Sequence, residues 1–199
     1  EYIWENYPDT EFISEIHIDM IFTNNWEDAL VSYLENNDQP MISCGIVDPT
    51  GVRHFLDVPA VKLPSNIECF NEYLKTLKVD KVVHGFTNPC IHISKILKQV
   101  GGYDAHFLTG KQAFEDDSML LGYYYYYGTR INWKPYVNYN SIVYHVTAGQ
   151  RMSLCDNVNI NYNGLIKQYG AMGIKHLSEF HKSEWAVGFF SQQYQLLFR

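Results

Sequence analysis

The chain is short of cysteine, of net positive charge and of long apolar runs, and each shortage excludes a class of protein. Its four cysteines, at 44, 69, 90 and 155, show no CxxC spacing. They fit neither a zinc knuckle nor a dense disulfide framework, so free thiols in a reducing compartment are expected. Lys and Arg number 15 against 22 Asp and Glu, giving a net charge of −7. That balance argues against DNA, RNA or any other polyanion as partner. A phosphate ligand would then need a metal or a local cationic patch. No apolar stretch approaches the roughly 18 to 20 residues that a membrane span needs, and no signal-peptide pattern is visible. Repeats and low-complexity linkers are lacking too, which predicts a single domain over residues 1–199 with 171–199 as a helical extension.

What is present is a globular composition, 46% hydrophobic and 19% charged. Aromatics reach 16%, with 16 tyrosines; such side chains bury much area and also line sugar and nucleotide sites. Thr10–Phe22 is rich in β-branched and apolar residues and predicts a buried strand. A helix start follows at Thr23–Asn25, with Trp26, Leu30, Tyr33 and Leu34 at helical spacing. After Pro40, Met41–Val47 is a short apolar strand, and Asp48–Val61 an irregular excursion. Helical spacing returns over Ile67–Leu77, and strand character over Lys81–Phe86. Thr87–Pro89 is turn chemistry, and Ser94–Val100 is a helix stopped by Gly101-Gly102. The pattern then predicts a helix through the tyrosines to Gly128, strands over Arg130–Val137 and Ser141–His145, a helix over Asn159–Tyr169 closed by Gly170, and a last amphipathic helix over Ser183–Phe198. Alternating strands and helices imply an α/β layer structure.

Few residues in this frame can carry chemistry. Asp19 is predicted at a strand end, where open α/β sheets place ligands, although a lone acid there also serves as a helix cap. His17 lies two residues earlier, on the same side of an extended chain, so the two can offer a nitrogen and an oxygen to a metal. Glu115, Asp116 and Asp117 fall at a helix start, where each acid complements the helix dipole by roughly 0.3 to 1 kcal/mol. Capping is one account of them. Three adjacent carboxylates also repel, and a carboxylate fixed there makes a general base. The five tyrosines turn through every side of a helix, which predicts core filling. His145 ends an apolar strand and, taken alone, is a satisfied polar residue or a ligand.

The order of these pieces resembles the family-2 glycosyltransferases of the GT-A fold. In that family an Asp-containing strand end is followed by Trp seven residues on, as Asp19 is by Trp26. A Gly-Gly-[Phe/Tyr]-Asp turn then precedes a Glu-Asp motif, here Gly101–Asp104 and Glu115-Asp116. A Gly-x-[Arg/Lys]-Ile strand and a Val-x-His element match Gly128–Ile131 and Val143–His145. A late helix ending in Tyr-Gly matches Asn161–Gly170, with Gln168 in place of the usual Lys. The likeness spans roughly Thr10 to Gly170, with His17 where the family carries its first Asp or Asn.

The resemblance implies a GT-A-like, Rossmann-like mixed sheet flanked by helices and lacking the family's first βα units, so the sequence is expected to be the C-terminal two-thirds of a longer catalytic domain. It implies that Asp19 and His145 hold Mn²⁺ or Mg²⁺ bridging the diphosphate of a nucleotide-sugar, with a UDP-sugar as the expected donor and a carbohydrate, lipid or protein acceptor. Asp116 would be the catalytic base and Glu115 an orienting acid, with inversion at the anomeric carbon. His17, Trp26, Gly85, Asn88 and Asp117 would contribute to donor or acceptor binding. A cytoplasmic protein is expected, with the cytoplasmic membrane face as a further location and the C-terminal helix as a candidate homo-oligomer surface. Two other readings stay open: a non-catalytic relative serving as a binding or assembly module, and a metal-dependent hydrolase built on His17, Asp19 and His145.

Overall fold

In the computed structural model, which describes residues 1–66, 69–110, 113–127, 133–146 and 158–199, the organising element is strand β3 (Met41–Val47). All seven of its residues are buried, as an apolar run between two layers requires. It lies in a six-stranded mixed sheet with β1 (Phe12–Glu15), β2 (Met20–Phe22), β4 (Val82–His84), β5 (Cys90–Ile93) and β6 (Tyr136–His145). The strand order is β1-β5-β3-β6-β2, and β4 also pairs with β6. The pairing of β3 with β6 is parallel, and the other four pairings are antiparallel. The chain divides into two compact units, Glu1–Leu97 with Pro135–Thr147, and Lys98–Lys134 with Ala148–Arg199. The α/β class expected from the sequence is what the first unit shows.

The first unit buries both faces of its sheet. Helix α1 (Tyr2–Asn6) is a short opening turn. Helix α2 (Asp28–Asn36) lays Leu30 and Leu34 on Ile42, Cys44 and Ile46, the alternate residues of β3. Full burial of each leucine contributes roughly 1.5 to 3 kcal/mol. Helix α3 (Phe70–Thr76) packs Phe70 and Leu74 into a second cluster with Val47, Val137 and Tyr139.

Several elements depart from the sequence expectation. Thr10–Phe22 is not one buried strand: β1 pairs with β5 and β2 with β6, so the segment bends between them, and both pieces are only half-buried. The helix expected from Thr23–Asn25 begins at Asp28, because Asn25 adopts φ 54°, which an α-helix cannot continue. Strand β5 was hidden, since four residues running straight into a helix show too little alternation to register. The two strands expected over 130–145 are a single β6 in their described part. Polar Asn138 and Asn140 do not break it: Asn138 donates to the Ala29 carbonyl at 3.2 Å and accepts from the Asn140 N–H at 3.0 Å. The Gly128–Ile131 motif, the residues at Ile67, the Thr147–Gly149 loop and Cys155 lie outside the described residues.

Helix α4 (Ser94–Val100) stops where expected, with Gly101 at φ 94° and Gly102 at φ 65°. The second unit is built on α5 (Glu115–Tyr127), α6 (Val158–Phe180) and α7 (Glu184–Leu196). Gly170 does not close α6; it kinks it at φ 66°, ψ −171°, and the helix resumes to Phe180. The tyrosine run fills the core at Tyr123, which is buried, whereas Tyr125 and Tyr126 are nearly half exposed. Tyr125 lies flat on Tyr169 at 5.7 Å between ring centres, and the Tyr126 hydroxyl donates to Gln99 at 2.7 Å.

Candidate functional site

Asp19 stands not at a strand end but in the turn between β1 and β2. What carries it to His145 is strand pairing. Met20 is the partner of His145 in the β2–β6 ladder, and the Val146 N–H donates to the Asp19 carbonyl at 3.0 Å. The Asp19 carboxylate consequently lies 3.3 Å from His145 Nε2. The His17 ring meets the His145 ring edge-on at 5.6 Å between centres. Each of His17, Asp19 and His145 offers a ligand atom within 4.8 Å of the others. His145 is buried, Asp19 and His17 are half-buried, and Ile18 between them is 96% exposed. Solvent therefore reaches the group through Asp19 and His17, whose side chains keep 40% and 27% of their area exposed. Two imidazoles and a carboxylate within reach of solvent form a donor set of the type that can hold a divalent transition metal and leave coordination positions for a ligand.

A second group adjoins it. Glu15 pairs directly with Cys90 across the β1–β5 ladder, and His92 is two residues along β5 on the same face. Cys90 Sγ lies 3.1 Å from His92 Nε2 and 3.6 Å from Glu15 Oε2, and Asn88 Oδ1 is 3.5 Å from the same sulfur. Sequence reasoning passed over Glu15, Cys90 and His92. The Cys-x-His spacing gains meaning only once residues 90–93 are known to be a strand.

The remaining expected site residues in the first unit have evident structural work. Trp26 packs on Phe22 at 5.0 Å between ring centres and beside the α2 cluster, and its carbonyl accepts from the Ser141 hydroxyl. Gly85 sits at φ 150°, and a Cβ there would come within 2.4 Å of the Phe55 ring. Asn88 is buried beside Cys90.

In the second unit, Glu115, Asp116 and Asp117 form the first turn of α5. Asp117 is engaged by His181 Nε2 at 2.7 Å. Glu115 and Asp116 are half-buried. The start of α5 is fixed from α6. Asn161, fully buried, accepts from the Gly110 N–H at 2.7 Å and donates to the Ala113 carbonyl at 2.8 Å. Ser118 donates to Gln168 at 3.1 Å, and the Tyr169 hydroxyl donates to the Ser118 carbonyl at 3.0 Å. Burial, partly offset by the Ser118 bond, pushes the Tyr169 phenol upward. Among the described residues no helix is long and apolar enough to cross a membrane. No protein-family model, curated protein or solved structure matches the chain.

Proposed function

We propose that the chain is a metal-dependent, inverting glycosyltransferase that moves a sugar from a nucleotide-diphosphate donor to an acceptor hydroxyl. The observation that carries this is the convergence of Asp19 and His145, two residues distant in sequence, with His17 beside them. The order along the chain of Asp19 with Trp26, Gly101–Asp104, Glu115-Asp116 and Val143–His145 supplies the reaction class. The donor set fits a divalent ion, and its two imidazoles favour Mn²⁺ over Mg²⁺, which prefers oxygen ligands throughout. An ion held there would neutralise charge building on a departing nucleoside diphosphate.

In this reaction Asp116 takes the proton of the acceptor hydroxyl as that oxygen bonds to the anomeric carbon, and the bond from that carbon to the phosphate oxygen breaks. One displacement inverts the centre. Glu115 orients a sugar hydroxyl. Asp117 is paired with His181, which makes it a support of the helix start more than a binder of sugar. The His17–Asp19–His145 group would also suit a metal-dependent hydrolase, whose activity would not depend on an acceptor.

The test is calorimetric titration of UDP with and without Mn²⁺. Binding should require Mn²⁺ and vanish in Asp19→Ala, while Asp116→Asn should bind as the wild type does and lose transfer. Binding indifferent to Mn²⁺ and to Asp19→Ala would refute the proposal. Metal-dependent binding with no transfer to any acceptor would mark the non-catalytic module instead.

A further inference from the structure

We infer that Glu15, Cys90 and His92 form a second metal site, of different chemistry from the first and selective for Zn²⁺. The inference stands on its own donor geometry and does not depend on the glycosyltransferase proposal.

The pleat builds the site. Glu15 and Cys90 are direct cross-strand partners, and His92 follows Cys90 by two, so all three project from one face of the β1–β5 ribbon. The three donor distances are 3.1 Å from sulfur to imidazole, 3.6 Å from sulfur to carboxylate and 3.9 Å from imidazole to carboxylate. A tetrahedral ion with bonds of about 2.3 Å to sulfur and about 2.0 Å to nitrogen or oxygen sets its donors about 3.3 to 3.6 Å apart. The observed triangle straddles that range, so small side-chain rotations close it. Asn88 Oδ1, 3.5 Å from the sulfur, borders the fourth position.

Ligand type separates the two groups. The Cys90 thiolate, present in this group alone, selects a soft or borderline ion such as Zn²⁺, whereas sulfur suits neither Mn²⁺ nor Mg²⁺. Burial also differs: Cys90 and His92 are enclosed, and Glu15 keeps about a fifth of its side chain exposed as a way in. Binding replaces the thiol proton, which leaves to solvent as the ion arrives. The ion would fasten β1, an outer strand of the sheet, to β5. The other Glu15 oxygen lies 4.0 Å from His17 Nε2, so fixing this carboxylate also steadies the turn that carries His17 and Asp19.

The test uses the full chain, freed of metal, titrated with Co²⁺ as a spectroscopic stand-in. One equivalent should raise a thiolate-to-cobalt charge-transfer band, and Zn²⁺ but not Mn²⁺ should displace it. Asp19→Ala should keep the band and Cys90→Ser should lose it. Glu15→Gln, altered at a partly exposed position and so folded, should weaken Zn²⁺ binding about tenfold or more. No thiolate band in the wild-type chain would overturn the inference. So would a band surviving in Cys90→Ser, which would place the metal on another cysteine.

Discussion

Replacing Asn161 by Ala should destabilise the second unit by about 2 to 4 kcal/mol. The side chain is fully buried, and its amide bonds the Gly110 N–H and the Ala113 carbonyl at 2.7 and 2.8 Å. Two such bonds contribute roughly 0.5 to 1.5 kcal/mol each, and each backbone group left buried without a partner costs about 1 to 3 kcal/mol. Partial access of water to the loop brings the total to the stated range. Urea unfolding followed by circular dichroism reads it directly. With a slope of roughly 2 kcal/mol per molar, the midpoint should fall by about 1 to 2 M. The companion variant Asn161→Asp sharpens the test. Its carboxylate keeps an acceptor for the Gly110 N–H but turns its other oxygen onto the Ala113 carbonyl oxygen. That contact favours the protonated acid, raising its folded-state pKa above the unfolded one. The native state then binds more protons, so stability should fall as pH rises through the carboxylate range and recover in acid. A loss below about 0.5 kcal/mol in the alanine variant, or an aspartate variant indifferent to pH, would refute the account of Asn161 as the clasp that sets the start of α5.

Two further predictions concern titratable groups in the first unit. Burial would raise the Asp48 carboxyl, but hydrogen bonds from the Thr50 hydroxyl, from His54 and from the Thr50 and Val52 N–H groups outweigh it and hold it below the usual range. Its contribution is present above the unfolded pKa and is lost as pH falls through the lower folded value, so the stability gap between wild type and Asp48→Asn should shrink only in strong acid, as urea midpoints taken across that range would show. The Cys44 thiol is pushed up to about 12 by burial, against a smaller opposing effect of its Ser141 hydrogen bond. Iodoacetamide at pH 8 should therefore leave Cys44 untouched in the folded chain while alkylating exposed Cys69, and peptide mass spectrometry would expose the opposite order.

Local pattern reached as far as local physics does. Met41–Val47 declared a strand because a seven-residue run with five apolar side chains between turn signals has few other homes. Glu115–Tyr127 declared a helix through its acidic first turn and its length. Ser94–Val100 was bounded by Gly101 and Gly102, whose positive φ ends a helix at little cost. Residues 90–93 were missed for the converse reason: Cys-Ile-His-Ile is a strand by virtue of pairing with β1 and β3, and nothing within four residues announces a partner.

The sequence by itself determined the α/β class, the main helices, and the choice of Asp19, His145 and the acidic turn as the residues worth attention. Tertiary structure alone decided which donors meet. The register of β2 on β6 brings Asp19 to His145, and the register of β1 on β5 sets Glu15 opposite Cys90. A bulge in β6, where the partner of β3 jumps from Asn138 to Ile142, decides that Val143 packs with α2 although Val137 and Tyr139 pack with α3. Register is settled by which faces can be buried together across the whole sheet, and a one-residue slip would turn each of these side chains to the opposite face. No local periodicity carries that information, which is why the meeting of Glu15 with Cys90 and His92 became visible only with the fold.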